Sequence, residues 1–99
     1  MRIVALKTLR AHWQRHGRED SEQPLRAWYT LVAEADWTSP GDVKADIRTA
    51  SVIPGNRVVF NIGGNKYRLI VKFNYAYRIG YIRFVGTHAE YDSIDAPTV

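Results

Sequence analysis

Ninety-nine residues with 45% apolar side chains and three tryptophans suffice for one domain with its own core, residues 1–99, and leave no room for a cofactor domain beside it. The chain has no cysteine, which excludes disulfides and thiolate metal sites and agrees with a reducing, cytoplasmic setting. Fourteen Lys and Arg against ten Asp and Glu leave a net +4, a balance that suits polyanionic partners and also serves solubility.

The opening MRIVALKTLR is too short an apolar run for a signal peptide, and no stretch approaches membrane length, so a soluble protein with no membrane partner is expected. Ile3 and Val4 suit a brief first strand. From Ala5 to about His16, Leu6, Leu9 and Trp13 share one helical face, and Gly17 closes the helix. Ser21 is the expected N-cap of a second helix, on which Leu25, Trp28, Tyr29, Val32 and Ala35 follow helical spacing. Ser39 before Pro40 caps a short third helix reaching about Arg48, after a linker that begins at Trp37.

Three strands follow. Arg57 to Ile62 alternates Val58, Phe60 and Ile62 with Arg57, Val59 and Asn61, and Gly63-Gly64-Asn65 turns the chain back. Lys66 to Asn74 then sets Tyr67, Leu69, Val71 and Phe73 against Arg68, Ile70 and Lys72. A third strand runs from Ile79 to about Gly86, with Ile82 and Phe84 expected on the core side. Thr87 to Ile94 reads as one helical turn, and 95–99 as a loose tail. Helices first and an antiparallel meander after them describe an α+β fold with the helices on one face of a small sheet.

Alternation has a chemical consequence. If the apolar set faces the helices, then Asn61, Arg68, Lys72 and Arg83 gather on the opposite face. Like charges from neighbouring strands repel unless an anion offsets them, so the face suits a phosphodiester backbone, although a solvated sheet surface explains each cation singly. Arg68 fits bidentate phosphate binding and Lys72 acts as a point charge; both would stabilise a phosphorane-like transition state. His88, just past the third strand, is the candidate general base or acid, with Tyr91 beside it if the segment is helical. Asn61 is a candidate for positioning a ribose or phosphate oxygen, and Arg83, Arg57 and Arg10 complete the RNA-binding candidates.

His12 and His16 stand four apart, a metal-ligand spacing, but no acidic third ligand matches them. The GGN turn lacks the Lys-Ser/Thr of a phosphate loop, and no carboxylate pair suits two-metal chemistry. No cofactor and no metal are expected.

The stretches VVFNIGGNKYRLIVKF and IRFVGTHAEYD resemble the HigB-type toxins of the RelE superfamily, with GGNKYRL and GTHAEYD together the specific part. The resemblance implies a RelE-like α+β fold and metal-independent cleavage of mRNA in the ribosomal A site. There the ribose 2′-hydroxyl attacks the adjacent phosphate, leaving a cyclic phosphate and a 5′-hydroxyl end. It also implies a cognate antitoxin, commonly one with a helix-turn-helix DNA-binding domain. By position, Arg68 matches the strand arginine that steadies the phosphate, Tyr91 matches the C-terminal active-site tyrosine, and His88 falls near a second basic group. Val59 and Asn61 stand where related enzymes often carry lysines. Two other functions fit the same fold: a non-catalytic toxin that inhibits a topoisomerase, like the ParE branch, and a simple RNA-binding domain.

Overall fold

In a computed structural model describing residues 1–99, the chain runs β1 (Arg2–Val4), α1 (Leu6–Trp13), a 3₁₀ turn (Glu19–Ser21), α2 (Glu22–Glu34), α3 (Pro40–Asp46), β2 (Ser51–Ile53), β3 (Arg57–Ile62), β4 (Tyr67–Asn74), β5 (Ile79–Thr87) and α4 (His88–Asp92). The strands form one five-stranded sheet in the order β1-β5-β4-β3-β2. All neighbours are antiparallel except β1, which lies parallel to β5. The helical layer covers one face, as the apolar spacing of α1 and α2 requires: Leu9, Leu25, Trp28 and Val32 are buried in one cluster with Val58, Phe60, Ile62, Tyr67, Leu69, Val71 and Phe73.

Edge-to-face aromatic contacts tie the layers together. Trp28 meets Phe60 with ring centroids 5.3 Å apart, Phe60 meets Phe73 at 6.3 Å, and Phe73 meets Trp37 at 5.7 Å. Such contacts stabilise by about 0.5–1.5 kcal/mol each beyond the area they bury. Trp37 is not a linker residue. It is 2% exposed, and its indole N–H donates to Asp46 Oδ2 at 2.8 Å, so α3 is pinned by a core side chain that precedes it.

Several expectations change in detail. Ser21 does not cap α2: its backbone is already helical after the 3₁₀ turn, and its hydroxyl donates to the Arg18 carbonyl instead. Ser39 does cap α3, accepting from the Asp42 N–H, with Pro40 in the first turn. The sheet is mixed rather than wholly antiparallel, and β2 adds an edge strand before the three expected ones. The third main strand carries a bulge. Ile70 pairs with Phe84 and Val71 with Ile82, so Arg83 is the extra residue. Phe84 therefore lies on the face away from the helices, with Ile70, and not in the core as expected; Val85, opposite Leu69, takes the core side.

That outer face is not bare. Val59 and Ile70 are 4% and 0% exposed although they point away from the helices. The Val99 carbonyl accepts from Arg57 on β3 and from Arg83 on β5, which carries the segment after α4 across β4.

Leu69 is fully buried and Tyr77 is 75% exposed. Leu69→Ala is expected to lower unfolding free energy by about 2–5 kcal/mol. Tyr77→Ala should change it by less than about 0.5 kcal/mol. Urea denaturation followed by tryptophan fluorescence checks both.

Candidate active site

Cross-strand pairing orders the outer face. On β4, Arg68 stands opposite Asn61 of β3 and Gly86 of β5, while Lys72 stands opposite Arg57 and Tyr81. Arg68 and Lys72 therefore share a face, but four residues of strand separate them by roughly 13 Å. The buried Ile70 lies between them, so the face has two polar ends.

The Arg68 end is completed by α4. Its start is tied to β4 because the His88 N–H donates to the Lys66 carbonyl at 3.3 Å. Thr87 caps the helix reciprocally with Glu90: the Thr87 hydroxyl accepts from the Glu90 N–H, and the Glu90 carboxylate accepts from the Thr87 N–H at 2.8 Å. Gly86 is required here, since a Cβ would come within 2.7 Å of both Glu90 Oε1 and the Phe84 ring. The His88 ring is exposed, 6.4 Å from the Tyr91 ring centroid in an edge-to-face arrangement. Its Nδ1 lies 3.1 Å from Asp92 Oδ2. An ionised carboxylate only accepts, so Nδ1–H donates to Asp92, and Nε2 is the ring nitrogen left without a partner. Arg68 donates to the Asn65 and Tyr67 carbonyls at 3.2 and 3.4 Å and forms no ion pair, so its charge is uncompensated by any carboxylate.

A clamp reaches α4 from the helical layer. Arg18 donates through Nη1 and Nη2 to the two Glu90 carboxylate oxygens at 3.0 and 3.2 Å. Arg18 Nη1 also lies 3.2 Å from Nε2 of the buried His12, whose Nδ1 is 2.9 Å from Ser21 Oγ. Arginine is only a donor, so His12 Nε2 accepts and Nδ1–H donates, which makes His12 neutral. Burial, and after it the Arg18 charge, lowers the His12 pKa. The hydrogen bond from Arg18, then the Thr87 N–H, bring Glu90 down to about 2. Alongside, Asp20 accepts from Lys66 and from the Tyr67 hydroxyl; those two bonds lower its pKa, while burial first and Asp20 second raise that of Tyr67.

Asn61 and Arg68 thus stand at the end of the sheet where α4, which carries His88 and Tyr91, begins. Lys72 and Arg83 line a cleft at the other end. Arg57 is 8% exposed and donates through Nε, Nη1 and Nη2 to the Val99 and Gly55 carbonyls. Arg10 sits on α1 in a groove with Trp13, Leu25 and Arg26, across the sheet from Arg68. Both ring nitrogens of His12 are engaged within the clamp. Sequence reasoning missed the clamp that Arg18, Glu90, His12 and Ser21 form. The T-x-x-E spacing of Thr87 and Glu90 was a readable cap signal, whereas nothing local joined Arg18 to a carboxylate 72 positions away.

The element order and the helix-backed sheet define a RelE-like α+β domain. The sequence model of the family described as "HigB_toxin, RelE-like toxic component of a toxin-antitoxin system" matches residues 21–94, and the chain belongs to that toxin family. Membership implies a cognate antitoxin. No curated protein matches the chain. No helix is long and apolar enough to cross a membrane.

The Glu90 carboxyl is depressed from 4.5 to about 2 in the folded chain, so its stabilising contribution is complete above 4.5 and is lost as pH falls through about 2. Glu90→Gln should therefore lower stability at neutral pH and flatten the decline between those two values. Chemical denaturation of both proteins at a series of acidic pH values measures this.

Proposed function

We propose that this toxin is a ribosome-dependent mRNA endoribonuclease that arrests translation by metal-independent attack of a ribose 2′-hydroxyl on its own 3′-phosphate. The reading rests on register: Arg68, uncompensated by any carboxylate, stands opposite Gly86, two residues before the helix that carries His88 and Tyr91. RNA brings its own nucleophile, so the protein must align it, manage two protons and offset charge on the phosphorane.

In this reading His88 Nε2 takes the 2′-hydroxyl proton as the O2′–P bond forms, Asp92 holds the imidazole in that tautomer, and Arg68 binds the non-bridging phosphate oxygens. The P–O5′ bond breaks as the leaving oxygen receives a proton from the Tyr91 hydroxyl, giving a cyclic phosphate and a 5′-hydroxyl end. Asn61, beside Arg68, orients a ribose or phosphate oxygen. The substrate is mRNA on the ribosome, and the antitoxin is a helix-turn-helix DNA-binding protein. The cytoplasm is the place of action.

Incubating purified protein with programmed ribosomes and mapping the mRNA ends tests this. Arg68→Ala, His88→Ala and Tyr91→Ala are each expected to slow cleavage by about a hundredfold or more and to relieve growth arrest, with thermal melts unchanged. Full cleavage by the triple variant sinks the assignment, and DNA damage with intact mRNA would instead favour topoisomerase inhibition.

A further inference from the structure

The largest cavity of the molecule is not at the His88 helix. It is a cleft of about 460 Å³ on the outer face, lined by Asn56, Lys72, Asn74, Tyr75, Tyr81 and Arg83, with Phe73 at its floor. The volume is in the usual range for small-molecule pockets, and the lining has the composition of a polyanion site: two cations, two amides, aromatic rings and no carboxylate. Lys72 is exposed and makes neither an ion pair nor a hydrogen bond. Arg83 gives its Nε to the Val99 carbonyl at 3.1 Å, and its two terminal nitrogens have no partner. Tyr81, directly opposite Lys72 in the β4–β5 pairing, is 38% exposed and offers a ring to the cleft. Tyr75 also lines the cleft, its ring stacked on Phe73 and its hydroxyl buried without a hydrogen-bond partner.

The bulge at Arg83 creates the arrangement. In an unbroken ladder, Arg83 would stand opposite Ile70 and Phe84 would face the core. The extra residue re-aims Arg83 toward Lys72 and leaves Phe84 over Ile70. Cations from two strands thereby line one cleft, which like-charge repulsion opposes unless an anion is held there.

We propose that this cleft is a nucleotide subsite, in which Lys72 and Arg83 hold a backbone phosphate of single-stranded RNA and a base lies against the Tyr81 ring. It rests on the reading of RNA as the substrate. The subsite is roughly 13 Å along β4 from Arg68, a few nucleotides from the bond that is cut. Lys72 then grips the strand instead of stabilising the reacting phosphate, and the cleft sets the register in which the strand crosses Arg68 and His88.

The test is the binding of a fluorescently labelled single-stranded oligoribonucleotide, by anisotropy, to protein carrying His88→Ala so that the probe stays intact. Lys72→Ala and Arg83→Ala, added to that background, should each weaken binding roughly tenfold. Together they should reduce the slope of log affinity against log salt by about 0.7, the value for one neutralised phosphate of a single strand. Tyr81→Ala should weaken binding by a similar factor, and Tyr81→Phe should restore it. Thermal melts identify any variant that fails to fold, and Lys72→Gln, on an exposed side chain, gives an independent check on the charge. The proposal is overturned if the parent protein does not bind the probe, if the double variant binds with unchanged affinity and salt slope, or if only antitoxin affinity falls. Binding that depends on Lys72 and Arg83 without mRNA cleavage keeps the subsite and rejects the nuclease. Cleavage that depends on Arg68 and His88, with RNA affinity indifferent to Lys72 and Arg83, does the reverse.

Discussion

The phase of β4 is the constraint on which this molecule depends. Tyr67, Leu69, Val71 and Phe73 are each at most 2% exposed beneath the helices, and the same strand delivers Arg68 and Lys72 to the opposite side. A slip of one residue would drive two cations into a core of tryptophan, phenylalanine and leucine, at a desolvation cost no local contact could offset. Core packing and the placement of the site are therefore the same event. Tyr67 to Lys72 pair on both edges, with β3 and with β5, which holds that phase firmly.

What β4 supplies on one side, α4 completes from a short helix that could not stand alone. A helix of five residues has almost no stability of its own. It persists because Thr87 and Glu90 satisfy its first N–H groups and because Arg18 grips the same carboxylate from the helical layer. Glu90 thus serves two elements at once, and its low pKa records how strongly the charged form is held. Behind Arg18 the neutral His12 and Ser21 extend the connection into α1 and the 3₁₀ turn. The helix that carries His88 and Tyr91 is thereby anchored to the helical layer.

The outer face is divided by the apolar middle of Val59, Ile70 and Phe84, with the segment after α4 passing over it. One end holds the uncompensated Arg68 and the histidine–tyrosine helix; the other holds the cleft built by Lys72, Tyr81 and Arg83. A polymer suits such a surface better than a compact ligand, because a polymer can occupy separated positions with one covalent chain and so raise the effective concentration of each contact.

The helix-backed sheet, the bounds of β3 and the side to which Arg68 and Lys72 point were determined by the sequence itself, because burial of one face imposes a period of two along a strand and about 3.6 along a helix. The motif around Arg68, His88 and Tyr91 was likewise written locally. Other features depended on the tertiary structure alone. The β5 bulge, the buried role of Trp37, the joining of Arg18 to Glu90, the capture of Arg57 by backbone carbonyls and the distance between Arg68 and Lys72 all arise from contacts between segments far apart in the chain. Local periodicity reports which way a side chain points, but carries no information about which distant group it will meet.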